Sequence, residues 1–215
     1  MLQEQAVASL APIDRPLRRV GERFADAGWE IALVGGPVRD ALLGRLGSDT
    51  DLDFTTNAQP EQIVELLGGW AEAVWDVGIR FGTVGAHIDG REVEITTYRS
   101  ESYDAPSRKP EVAFGDNLAD DLARRDFTMN AMAVTLPSME FVDLFDGIAD
   151  LAAKRIRTPG TAQSSFDDDP LRMMRAARFA SQLDAIVDTD VVDAMSAQAE
   201  RISIVSAERI REEFS

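Results

Sequence analysis

Two aspartates separated by one residue, Asp51-Leu52-Asp53, are the first place where residue type and spacing suggest chemistry. On a β-strand, residues i and i+2 project from the same face, roughly 6.5 Å apart. Carboxylates so placed can share a hard cation such as Mg²⁺, which prefers oxygen ligands. The same pattern also occurs in solvated turns, so the pair takes its meaning from what precedes it. Upstream lies Leu33-Val34-Gly35-Gly36-Pro37-Val38-Arg39-Asp40. A short apolar strand feeds two glycines and then a helix start. Glycine lets a phosphate approach the backbone, and a helix N-terminus presents free N–H groups at its positive end. Arg39 adds a fork of donors for phosphate oxygens, while Asp40 reads as a helix-start charge. Gly35, Gly36, Arg39, Asp51 and Asp53 together read as a site for a triphosphate and a metal ion. Glu94 lies on a strand face with Glu92 and Thr96. It is either a third carboxylate of that site or part of a solvent-facing side.

A second cluster, Arg124-Arg125-Asp126-Phe127-Thr128-Met129-Asn130, combines cations, an anion and an amide. It suits a phosphate or ribose hydroxyl, or else a surface salt bridge worth little. A third runs from Asp168-Asp169-Pro170 through Arg172, Arg175 and Arg178. Asp169 and the three arginines recur every third residue, forming a slanting stripe on one expected helix. Its plain reading is a capped helix with a charged outer face. Its chemical reading concerns bases. Cytosine and adenine both show an exocyclic amine beside a bare ring nitrogen, whereas uracil and guanine show a carbonyl beside a ring N–H. A carboxylate accepting from the amine, beside a guanidinium donating to the ring nitrogen, would accept the first pair and strand polar groups against the second. His87, flanked by apolar residues, reads as a packing residue. Trp29, Trp70 and Trp75 read as core or edge fillers.

These residues need elements to hold them. Helical spacing of Leu17, Val20, Phe24 and Ala27 predicts a helix over 15–27, closed by Gly28. A buried strand is expected at 31–34, a helix at 38–43, a half-buried strand at 51–54 and a helix at 60–67. Strands follow at 72–77, 83–88 and 91–97, the last two joined by the hairpin signal Asp89-Gly90. Residues 100–110 read as a loop and 117–124 as a helix. For 131–136 and 141–144, periodicity leaves helix and strand equally open. Beyond Thr158 strand signals vanish, and helices are expected over 168–183, 190–199 and 206–214. The boundary falls at 157/158, between a mixed α and β domain and an all-helical one.

Composition sets the outer limits. The chain has 215 residues, no cysteine, one histidine and a formal net charge of −16. Disulfides, thiolate nucleophiles and His/Cys zinc sites are thereby excluded, and a Ser-His-Asp triad is a poor fit. The acidic balance opposes a nonspecific grip on nucleic acid, which needs Lys and Arg, but suits a site that gathers cations. Apolar runs fall far short of the ~20 residues of a membrane span. Met1–Leu10 lacks the pattern of a signal peptide, so a soluble, cytoplasmic protein without membrane partners is expected. No signal bears on oligomeric state.

The runs LVGGPVRDALLGRLGSDTDLDFTT, RRDFTMNAMA, FDGIADLAAKRIRT and DDPLRMMRAARF occur in order. They resemble the motifs of the class II tRNA nucleotidyltransferases (CCA-adding enzymes) and the related bacterial poly(A) polymerases. The resemblance implies an α+β head, with a small, mostly antiparallel sheet and helices on one face, over residues 1–157. A helical neck would follow over 158–215, cut short, with the RNA-gripping body and tail beyond residue 215. It implies CMP and AMP addition from CTP and ATP to the tRNA 3′ end, with Mg²⁺ on Asp51 and Asp53. Gly36 and Arg39 would contact the phosphates, Arg125 and Asp126 the ribose, and Asp169 and Arg172 the base. Arg175 and Arg178 would contact the nucleotide further. Phe145–Arg157 resembles the hinge motif and Ile202–Glu213 the last family motif. Asp168 departs from the usual Glu at the start of the base-reading motif. Poly(A) synthesis and nucleotide binding without catalysis are the alternative functions.

Overall fold

The computed structural model describes residues 2–47, 50–75, 82–100, 113–115 and 117–214. The chain divides into two compact units: Met1–Leu122 with Met132–Val142, and Ala123–Ala131 with Asp143–Ser215. This division differs from the 157/158 boundary read from the sequence. The chain enters the second unit at Ala123, returns to the first for one hairpin, and leaves it again at Asp143.

In the first unit, helix α1 (Leu2–Ala8) precedes α2 (Asp14–Asp26), strand β1 (Ile31–Val34) and α3 (Gly36–Leu42). Then come β2 (Leu52–Thr56), α4 (Pro60–Leu67), β3 (Ala73–Trp75), β4 (Thr83–Ile88) and β5 (Arg91–Thr97). The two-residue strands β6 (Arg99–Ser100) and β7 (Ala113–Phe114) pair with each other, and α5 (Leu118–Ala123) follows. Strands β8 (Met132–Leu136) and β9 (Glu140–Asp143) complete a seven-stranded sheet among the described residues, in the order β3-β4-β5-β2-β1-β8-β9. Neighbours β1–β2, β1–β8, β3–β4 and β4–β5 are antiparallel, whereas β2–β5 is parallel.

Sheet faces follow from the register. Leu33 opposes Phe54, Phe54 pairs with Ile95, and Ile95 opposes Val84. All four side chains are buried. Helix α2 covers this apolar face through Leu17, Val20 and Phe24, all fully buried. It comes so close that a Cβ on Gly21 would stand 2.7 Å from Leu136 Cβ. Helix α4 adds Ile63 and Leu67. It meets β4 and β5, whose other face carries the exposed Glu92 and Glu94. The Asp89-Gly90 turn has positive φ at both residues, 53° and 72°, the tight hairpin geometry that its sequence favours.

In the second unit, α6 (Gly147–Ala152) and β10 (Arg155–Ile156) precede α7 (Ala162–Asp168) and α8 (Leu171–Leu183). Strand β11 (Ile186–Val187), α9 (Thr189–Gln198) and α10 (Ala207–Glu212) follow. Phe127, Ile156, Phe166, Met173, Phe179 and Val191 lie in one core cluster, with Phe127 and Phe179 edge-to-face at 5.9 Å.

Several expectations need correction. The helix expected over 168–183 is broken. Helix α7 ends at Asp168, Asp169 is extended (φ −146°, ψ 102°), and α8 starts at Leu171. The cause is Pro170, which disfavours helical geometry in the residue before it. Strand pairing does not stop at 158, because β10 and β11 pair in parallel. The two segments left open, near 131–136 and 141–144, are strands β8 and β9. Asp51 lies just before β2, which starts at Leu52. The described part of the strand expected at 72–77 spans Ala73–Trp75. The 100–110 loop lies outside the described residues apart from Ser100, which ends β6. No helix among the described residues is long and apolar enough to cross a membrane.

Candidate active site

Each unit brings together part of the expected set. In the first unit, β1 runs into Gly35, whose φ of 72° and ψ of −133° suit glycine. Any other residue there would be strained by about 1–3 kcal/mol. Gly36 opens α3, and a Cβ on it would meet Arg39 Nη2 at 3.8 Å, so the guanidinium lies near the glycine turn. Arg39 donates through Nε to Asp40 Oδ1 at 2.9 Å, with Nη2 also 2.9 Å from that oxygen. Asp40 is therefore more than a helix-start charge, because it fixes the direction of Arg39.

The carboxylates stand on the neighbouring strands. Asp53 is half-buried on β2 and pairs in register with Glu94 on β5. Register partners share a face, so Glu94 belongs with Asp53 and is exposed. Asp51, also exposed, precedes β2. Since Leu33 opposes Phe54, continuing the register by one residue sets Val34 beside Asp53. The glycine turn thus leaves the sheet next to the aspartates. Arg91 Nη1 donates to the carbonyls of Gly47 and Thr50, at 3.3 and 3.4 Å, and steadies the approach to Asp51. Sequence reasoning did not single out Arg91. Among the described residues, no group of three or more His, Cys, Asp or Glu is gathered as a metal cage. The donor set is a carboxylate pair with Glu94 beside it. That suits Mg²⁺, which is commonly held by one or two carboxylates and substrate phosphates.

The second unit collects the other set around α8. Asp126 is buried and accepts from Phe127 N at 2.8 Å, Asn130 Nδ2 at 3.0 Å and Arg175 Nε at 2.8 Å. Burial alone would raise its pKa. Arg175, Asn130 and the Phe127 N–H outweigh burial and hold the carboxyl below its ordinary value. Arg125 is half-buried beside it. Arg172 donates through Nη1 to Ser165 Oγ at 2.8 Å and through Nη2 to the Arg124 carbonyl at 2.6 Å. Burial lowers its pKa, and Asp126, Asp168 and Asp169 partly offset that. Arg175 Nη1 reaches Glu213 Oε1 at 3.3 Å, and Arg178 Nε lies 2.8 Å from Glu213 Oε2. Asp169 accepts from Leu171 N, the first residue of α8, at 3.0 Å, and from Arg209 Nη2 at 2.8 Å.

Arg172, Arg175 and Arg178 are therefore gathered along α8, with Asp169 two residues before its start, each already engaged by protein groups. Sequence reasoning did not name Ser165, Arg209 or Glu213 individually. The last two fall in the run ISIVSAERIREE, whereas no local pattern marks Ser165.

The pattern of the poly A polymerase head domain matches residues 31–157. The chain belongs to the poly A polymerase head domain family. Within that family it is similar to the CCA-adding enzyme of Lactobacillus helveticus (strain DPC 4571), with 46% identity over 194 residues. That match covers 90% of this chain and 47% of the relative. It is also similar to the Bacillus stearothermophilus CCA-adding enzyme in complex with CTP. The TM-score is 0.80 and the identity 35%, covering 91% of this chain and 46% of that one. The Thermotoga maritima CCA-adding enzyme complexed with tRNA-CCA gives a TM-score of 0.72 at 27% identity, with 92% and 45% coverage. Both solved structures share the fold described above. The chain spans about half the length of the curated relatives it matches.

Proposed function

We propose that this chain is the nucleotide-binding and nucleotidyl-transferring part of a CCA-adding enzyme, which adds CMP and AMP from CTP and ATP to the tRNA 3′ end. The observation that carries the reading is the glycine turn with Arg39, set beside Asp51, Asp53 and Glu94 on adjacent strands. The CTP and tRNA in the solved relatives support it. Residues 1–157 form the head in this reading, 158–215 begin the neck, and the RNA grip lies beyond residue 215.

The 3′-hydroxyl oxygen of the RNA forms a bond to the α-phosphorus while the bond to pyrophosphate breaks and the hydroxyl proton leaves to solvent. Arg39 and the backbone at Gly35 and Gly36 hold the triphosphate, where charge spreads during transfer. Asp51 and Asp53 would hold Mg²⁺, with Glu94 beside them. When bound there, Mg²⁺ supplies activation of the hydroxyl and neutralisation of phosphate charge. Arg125 and Asp126 face the ribose. Asp169 accepts from the exocyclic amine of cytosine or adenine, and Arg172 donates to the ring nitrogen. In this reading the base competes with Arg209 for Asp169, and with Ser165 and the Arg124 carbonyl for Arg172. Arg175 and Arg178 contribute positive charge along the same helix.

The test is incubation of the full-length protein with tRNA lacking its 3′ end, CTP, ATP and Mg²⁺, followed by sequencing of the added residues. CCA is expected, and Asp51→Ala should abolish its addition. A long run of adenylates would replace this reading with poly(A) synthesis. Undiminished addition by Asp51→Ala would remove the metal role.

A further inference from the structure

Trp75 stands on the same sheet face as the carboxylates. Trp75 on β3 opposes Gly85 on β4, Gly85 opposes Glu94 on β5, and Glu94 pairs with Asp53 on β2. One row therefore reads Trp75, Gly85, Glu94, Asp53 across four strands. Gly85 contributes no side chain, and the indole occupies the space. A Cβ on Gly85 would stand 2.1 Å from Trp75 Nε1 and 2.3 Å from Cε2. The His87 ring lies 5.7 Å from the indole at 55°. The apolar side of these strands holds Val84, Ala86, Val93 and Ile95, all buried. Trp75 takes no place there. It is half-buried on the other side, the side that carries the exposed Glu92 and Glu94. Strand spacing of ~4.8 Å puts Gly85 about 10 Å from Asp53, a distance that one nucleotide spans.

We propose that Trp75 is the stacking platform for the base of the 3′-terminal nucleotide of the RNA acceptor, and so a positioning residue for the attacking 3′-hydroxyl. The inference rests on the nucleotidyl-transfer reading above. Two arguments assign the acceptor rather than the incoming nucleotide. First, the terminal base changes with each addition, so its holder must tolerate any base. Stacking does so, because every base has a π-face. The incoming base must instead be discriminated by paired donors and acceptors, which an indole lacks. Second, Glu92 and Glu94 repel the RNA backbone here, so an uncharged ring that grips the base is the available contact.

The experiment uses the full-length protein and tRNA lacking its terminal adenosine. Trp75→Ala should raise KM for tRNA about tenfold, in the range of one stacked base, and leave KM for ATP within twofold. Gly85→Ala, which keeps the indole but displaces it, should shift KM for tRNA in the same direction, and Trp75→Phe should restore most of the loss. An acceptor whose last nucleotide lacks its base should be used equally well by wild type and Trp75→Ala. With every other tryptophan of the full-length protein replaced by Phe, a short RNA ending in CC should quench Trp75 fluorescence, while CTP alone should not. An unchanged KM for tRNA in Trp75→Ala, an equal rise in KM for ATP, or quenching by CTP alone would overturn the proposal. Failure of wild type to extend any RNA would overturn the transfer reading instead, and quenching by RNA would still report on the platform.

Discussion

Replacing Asp126 by Asn isolates the ion pair that ties the 123–131 segment to α8. The side chain is 9% exposed and lies 2.7 Å from Arg175 Nη2. An Asn side-chain oxygen can still accept from Phe127 N and Asn130, but its NH₂ faces the guanidinium. Removing one partner of a fully buried pair costs about 3–5 kcal/mol. Arg175 is 31% exposed and keeps Glu213 at 3.3 Å, which reduces the loss to about 2 kcal/mol, near one hydrogen bond to a charged group. Thermal unfolding at pH 7 should then shift down by roughly 4–8 °C. The pH dependence has a definite sign. Asp126 titrates lower in the folded chain than its ordinary value of 3.8. The pair's contribution is therefore complete above that value and lost as pH falls through the lower folded one. The stability gap between wild type and Asp126→Asn, measured by urea unfolding, should be constant from neutral pH to about 5 and close below about 4. A gap under ~0.5 kcal/mol at pH 7, the scatter of ordinary surface changes, or one that widens in acid, would refute this reasoning.

Three further outcomes are expected. Asp53→Asn should reduce nucleotide addition by the full-length protein at least a hundredfold while leaving the melting temperature nearly unchanged; calorimetry and a single-turnover assay check both. Asp169→Ala should let UTP and GTP compete with CTP, seen as their incorporation in mixed-nucleotide reactions, and unchanged selectivity would take Asp169 out of base reading. Phe166→Ala, at a fully buried position, should cost about 3–5 kcal/mol, measured as a lower urea midpoint.

Local signals were legible where one residue type dictates geometry. Asp89-Gly90 sets a hairpin, Gly35-Gly36 the end of a strand before a helix start, and the spacing of Leu17, Val20 and Phe24 a helix face. Signals failed where the partner is distant. Strands β10 and β11 have two residues each, too few for any period. Pro170 fits a helix's first turn, and the text around it does not reveal that Asp168 closes an earlier helix. In the first unit, the carboxylates and glycines were read directly from spacing, and the register then placed Glu94 beside Asp53. In the second unit, the partners of Asp169, Arg172 and Arg175 lie up to 49 residues away. Ser165, Arg209 and Glu213 thus emerged only from tertiary structure.

The two-residue turn between β4 and β5 acts as a ruler for a strand it does not touch. Side chains alternate along β5, so lengthening the turn by one residue and sliding β5 against β2 would exchange Glu94 for Val93 beside Asp53 and press the glutamate into oil. Insertions there should be tolerated in pairs or not at all, and the turn would vary in length only by even steps.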